Sequence, residues 1–124
     1  MLFKDFVIDE ETAEKKRKEI SSVIAKAVKK NLIEKEETEG TTFIKFAGKG
    51  LYDFSPATYE IHVVSSQQKK VYKGMQRVVH INIVKEKPSN RQTDYLVIDI
   101  DRISDAEYAT TLEYLKDFFG NLIK

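Results

Sequence analysis

The chain has two histidines, and the patterning around them can bring them together. "TYEIHVV" and "RVVHINIV" both alternate with period two. His62 therefore shares a face with Glu60 and Val64, and His80 shares one with Val78, Asn82 and Val84. A register that aligns the apolar faces of these segments could set His62 directly opposite His80. Two imidazoles with Glu60 or Asp99 nearby are donor types that suit a divalent metal. No close-spaced ligand motif accompanies them, so no metal ligand is assigned. A strand histidine more often pairs with a carboxylate or sits at a partly exposed edge.

Other reactive residues give weaker patterns. The acids of "IDID", Asp99 and Asp101, lie two apart on one face. Paired acids do general acid–base work when one is desolvated, but these fit better as the solvent edge of a strand entering a helix cap. Ser65 and Ser66 lack the context of a nucleophile elbow. "GKG" at 48–50 is too short for a phosphate loop and reads as a tight turn, and no dinucleotide fingerprint occurs. No catalytic residue and no cofactor is assigned, and nothing in the sequence argues for an enzyme.

The stretch "SSQQKKVYKGMQRVVHINIV" concentrates Lys69, Lys70, Lys73 and Arg77 around Tyr72. A basic finger of this kind can lie against phosphate while the tyrosine stacks on a base. Lys26, Lys29 and Lys30 would add to it if they lay nearby. The ordinary role of such charges is to keep a hairpin tip soluble and block edge pairing.

Bulk composition sets the frame. The 124 residues suit one domain, 1–124, with a modest core. Hydrophobic content of 41% beside 33% charged residues describes a globular chain. With 21 basic and 20 acidic residues the net charge is +1, so any contact with a polyanion would have to be local. The absence of cysteine removes disulfides, thiolate metal sites and a Cys nucleophile, and suits a reducing compartment. No run approaches the ~18 apolar residues of a membrane span, and "MLFKDFVIDEETAEKK" does not form a secretory signal. The expectation is a cytoplasmic protein without membrane contact.

The elements that must position these residues follow from spacing. Residues 2–8 could form a short strand, with Asp9 capping a helix whose first turn is acidic. Ala13, Ile20, Val23, Ile24, Ala27 and Val28 make one apolar stripe along that helix, and Asn31 is a plausible stop. "LIEKEETEGTTFIKF" reads as a hairpin about Glu39-Gly40, although "LIEKEE" could instead prolong the helix. "ATYEIHVV", "QRVVHINIV" and "DYLVIDIDRI" read as strands, with "KEKPSNRQT" a loop by composition. "SDAE" (104–107) is a capping box opening a helix with Tyr108, Leu112, Leu115, Phe118, Phe119 and Leu122 on its apolar face. The fold class is α+β: a mainly antiparallel sheet of four to six strands between a long N-terminal helix and a long C-terminal helix.

Parity then fixes how the histidine strands meet. For Ile61 and Val63 to share a core with Val79, Ile81 and Ile83, odd residues must face odd residues. The connection must therefore have an odd length or contain a bulge at Gly74. The opposite face collects His62, Val64, Val78, His80, Val84, Tyr95 and Val97, more apolar than a solvated face should be. The helices could cover opposite faces, the strands could curl around one helix, this face could meet a partner or a second copy, or the curled sheet and last helix could enclose a small apolar ligand. The leading expectation is a small non-catalytic module acting by protein–protein contact through those seven residues. An RNA- or DNA-binding module using Lys69, Lys70, Tyr72, Lys73 and Arg77 is the alternative. The order of elements also resembles helix-grip ligand-binding domains, in which a curved antiparallel sheet wraps a long C-terminal helix. That resemblance, which involves no shared motif, implies an apolar-ligand pocket beneath the last helix.

Overall fold

The computed structural model describes residues 10–50, 55–70, 74–87, 90–101 and 103–124, with backbone alone for 67–70 and 74–76. Helix α1 (Glu10–Ala27) begins with Glu10 and Glu11 and carries Lys26 in its last turn, both favourable for its dipole. The proposed strand at 2–8 and the Asp9 cap lie outside the described residues. A single 3₁₀ turn, Lys29–Asn31, ends the helical run, and Asn31 Nδ2 donates to the Ala47 carbonyl at 2.8 Å. Five strands follow: β1 (Leu32–Thr38), β2 (Thr41–Lys49), β3 (Pro56–Lys70), β4 (Gly74–Lys87) and β5 (Asn90–Asp99). Helix α2 (Asp105–Asn121) closes the order. Its capping box forms as the sequence predicts: Ser104 Oγ accepts from the Glu107 N–H at 3.1 Å, and the Ser104 N–H donates to Glu107 Oε1 at 3.3 Å.

The strands form one sheet in the order β1-β2-β3-β4-β5, every neighbouring pair antiparallel. "LIEKEE" is strand, not helix, and Gly40 takes φ 81° in the two-residue turn after it. Two turn expectations are corrected. Gly48 and Lys49 are still in β2, opposite Ala57 and Pro56, so the chain reverses after "GKG" begins. Pro56 opens β3, an end position where a missing N–H is tolerated. "KEKPSNRQT" is mostly strand, because the β4–β5 ladder runs to Lys87 opposite Asn90. Composition misled here because those polar residues occupy the end of an edge ladder.

Both helices pack on one side of the sheet. Ile20, Ile24 and Val28 of α1 and Leu115, Phe119 and Leu122 of α2 share one core with Ile44, Phe46, Ile61, Val63, Val79, Ile81 and Ile98. Phe46 stacks on Tyr59 at 5.1 Å and meets Phe119 edge-on at 6.5 Å. Between the helices, Lys16 Nζ sits 4.0 Å over the Tyr108 ring. Burial, with Glu19 beside it, pushes the Tyr108 hydroxyl above its ordinary pKa.

A polar network anchors α1 to the strands. Arg17 is fully buried, on the same stripe as Ala13 and Ile20. Its guanidinium donates to both Glu14 carboxylate oxygens, at 3.0 and 2.8 Å, and to Thr42 Oγ1 of β2. Ser65 Oγ of β3 donates to Glu14 Oε1 at 3.1 Å, and Thr42 Oγ1 donates to Glu37 Oε1 of β1 at 3.1 Å. The hydrogen bonds from Arg17 hold the Glu14 carboxyl below its ordinary value, with burial opposing and Ser65 assisting.

Two predictions follow from these anchors. A carboxyl depressed on folding contributes stability above its unfolded pKa, and that contribution is lost as pH falls through the folded one. Unfolding midpoints should therefore drop below pH 4.5, the ordinary Glu14 value, and Glu14→Gln should flatten this part of the profile. An equally steep profile in the variant would dismiss the assignment. At the C-terminus of α2, the Lys49 N–H donates to the Leu122 carbonyl at 2.9 Å. A Cβ on Gly48 would lie 2.5 Å from that oxygen and 3.0 Å from the Tyr59 ring. Gly48→Ala should cost about 1–3 kcal/mol in denaturant unfolding, whereas wild-type stability would show that α2 can shift freely.

Candidate functional site

With both helices on one side, no described helix covers the other. Register assembles that face in rows. Phe43 lies opposite His62, His62 opposite Asn82, and Asn82 opposite Tyr95. The next row runs Thr41, Val64, His80, Val97. Beyond it Val78 lies between Ser66 and Asp99, and on the other flank Val84 lies between Glu60 and Thr93. All seven residues singled out from the sequence therefore share one face.

Their accessibility divides them. Tyr95 is 64% and Val97 45% exposed, both on the edge strand β5. His62, Val64 and His80 are half-buried. Val78 and Val84 are buried, at 2% and 7%, yet stand outside the main core. Both belong to the inner strand β4, where residues of β3 and β5 flank them, so they support the surface and do not present themselves to a partner. Sequence reasoning missed Phe43, whose ring meets His62 edge-on at 5.1 Å. The signal was present: in "TTFIKF", Thr42, Ile44 and Phe46 take the core face and leave Phe43 and Lys45 on the other.

The two histidines are not directly opposite. His62 faces Asn82 and His80 faces Val64, so they stand diagonally on one face. The ladder sets this offset, because core alignment pairs Ile61 with Ile83 and leaves no freedom to slide. Among the described residues no group of three His, Cys, Asp or Glu could hold a metal ion. Asp99 lies at the end of the β5 ladder opposite Val78. Asp101 Oδ2 accepts from the Arg77 backbone N–H at 3.0 Å, a tie between neighbouring segments.

The basic residues are spread out. Lys69 and Lys70 end β3 opposite Met75 and Gly74, and Arg77 lies further down β4 opposite Gln67. Tyr72 and Lys73 fall outside the described residues. Lys26, Lys29 and Lys30 do not join them. Asn31, next to this second group, binds Ala47, which lies opposite Thr58. Thr58 and Lys70 are twelve residues apart along β3, roughly 40 Å in extended backbone. The two groups of lysines thus occupy opposite ends of the sheet.

On the helix side, α2 leaves space beside the outer strands. One cavity of about 400 Å³ is lined by Leu96, Ile98, Ile103, Thr111, Tyr114 and Leu115, among others. Another of about 420 Å³ is bounded by Tyr59, Ile83, Lys85, Phe118 and Leu122, with polar residues of β5. No described helix is long and apolar enough to cross a membrane. No protein-family model, curated protein or solved structure matches the chain.

Proposed function

We propose that this protein is a small non-catalytic binding or assembly module that engages a protein partner, or a second copy, through the open face of its sheet. The observation that carries the reading is the placement of both helices on the other side, with Tyr95 and Val97 left exposed beside Phe43, His62 and His80. Aromatic and β-branched side chains on an accessible sheet face favour removal from water. A cytosolic location belongs to the same reading and is supported by a chain free of cysteine. Light scattering coupled to size exclusion should give an assembly heavier than the 14.3 kDa chain. Tyr95→Lys and Val97→Lys should return it to monomer mass with an unchanged circular dichroism spectrum. Val78→Lys, at a buried position, should lower the melting temperature. Assembly that persists in both folded surface variants would defeat the proposal.

A second reading rests on the cavities beneath α2. Their volumes lie within the ~300–1,000 Å³ of small-molecule sites, and Leu96, Ile98, Tyr59 and Phe118 give them apolar walls. A lipid-like ligand held there should raise the melting temperature. A diverse panel of fatty acids and sterols that produces no shift would remove this reading.

A further inference from the structure

The two edges of the sheet are built differently. On β1 the side chains are all exposed: Leu32 and Ile33 open the strand, and Glu34, Lys35, Glu36 and Glu37 then run consecutively. Such a row of charges discourages pairing with another strand. On β5, Asp94 is the single charged residue between Arg91 and Asp99. Apolar groups flank that edge on both sides: Tyr95 and Val97 on the open face, Leu96, Ile98 and Tyr114 of α2 along the cleft.

The backbone of β5 also shows which groups face outward. The Tyr95 N–H donates to Asp94 Oδ1 at 2.8 Å instead of to a carbonyl of β4. Because hydrogen-bonding direction alternates along an antiparallel strand, Arg91, Thr93, Tyr95 and Val97 turn their amides to the edge of β5 that no described strand occupies. A second strand added there would take over the place held by the Asp94 carboxylate.

We propose that two copies of this chain pair antiparallel along β5, centred on Tyr95, to make one ten-stranded sheet with all four helices on the same side. The inference rests on the reading of Tyr95 and Val97 as contact residues and names the partner as the chain itself. A two-fold axis perpendicular to the sheet sets the register. About Tyr95, each tyrosine faces its own copy, Val97 faces Thr93, and Asp99 faces Arg91. That places an aromatic pair at the centre, β-branched pairs beside it and opposite charges at both ends, all favourable as cross-strand neighbours. Centring on Asp94 would set two carboxylates against each other. Centring on Leu96 would carry Arg91 past the end of the strand at Asp99. In the single chain Arg91 pairs with the exposed Glu86 at 3.6 Å, a surface contact of little worth. The pairing also brings each copy's cleft between β5 and α2 against its symmetry mate, closing along the two-fold a side that one chain leaves open.

The lack of native cysteine permits a direct test. In the proposed register Tyr95→Cys faces itself across a Cα separation of ~5.5 Å, within the ~4.4–6.8 Å that a disulfide spans. Phe43→Cys lies on the same face but on β2. Under mild oxidation at micromolar concentration, Tyr95→Cys should convert mostly to a covalent dimer on a non-reducing gel, while Phe43→Cys stays monomeric. Thr93→Pro removes an outward amide without touching the β4 ladder, and should bring the solution mass down to one chain. Cross-linking of Phe43→Cys without Tyr95→Cys would overturn edge pairing while upholding contact through the open face. If neither cross-links and the parent has the mass of one chain, pairing between copies is overturned outright, and the open face can then serve only a different protein.

Discussion

The register of β3 on β4 is the constraint on which the rest of the molecule depends. From Thr58 opposite Glu86 to Lys70 opposite Gly74 the ladder shows no shift. Every odd residue of one strand therefore faces an odd residue of the other. That places Tyr59, Ile61, Val63, Val79, Ile81 and Ile83 on one side, and leaves His62, Val64, Val78 and His80 no choice but the other. A slip of one residue would exchange the faces of a strand, exposing Ile81 and burying His80. Residues 71–73, an odd number, separate the two strands, as parity demands.

Given that core face, the helices are placed by features more specific than hydrophobicity. An apolar stripe could slide along an apolar sheet with little change in buried area. The Arg17 guanidinium cannot slide, because Glu14 travels with it on α1 whereas its bond to Thr42 of β2 is fixed in place, and a buried cation that loses a partner is strongly destabilising. Glu14 in turn accepts from Ser65, so one network ties α1 to β2 and β3. At the other end of the sheet, the bond from Lys49 to Leu122 fixes the end of α2, and the absence of a side chain at Gly48 lets the two backbones approach. The helices then meet through Tyr108 and Lys16.

This division explains what could be read from the sequence. Features set by local spacing were legible: the capping box at Ser104, the stop at Asn31, the turn at Gly40 and the alternation of the strands. The seven residues of the second face were legible too, because parity alone assigns them. What depends on tertiary geometry was not. Arg17 fills the gap between Ala13 and Ile20 on the buried stripe, yet its charge argues for solvent until Glu14, Thr42 and Ser65 are seen around it. Gly48 suggests a turn, although its small size serves a helix terminus packed over β2. Period-two patterning says which residues share a face but not which face a helix will choose. For that reason the spacing could not tell that no described helix lies on the second face, nor that Val78 is buried within it.

The width of the layers accounts for the cleft and for the character of the edges. Five strands at about 4.8 Å spacing make a sheet roughly 24 Å wide, while two helices packed side by side cover roughly 20 Å. About one strand's worth of the inner face must go uncovered. The shortfall is divided between β1, whose side chains are all exposed, and the space between β5 and α2. Charge from Glu34 to Glu37 makes most of the uncovered β1 compatible with water, although Leu32 and Ile33 at its start are exposed too. On β5 the inward residues shift from Gln92 and Asp94 to Leu96 and Ile98 along the strand, so its second half needs cover that α2 does not fully supply. The same geometric deficit thus yields a solvated edge on one side and, on the other, an apolar edge with exposed tyrosines above and below it. That asymmetry gives the molecule a direction in which it can be extended.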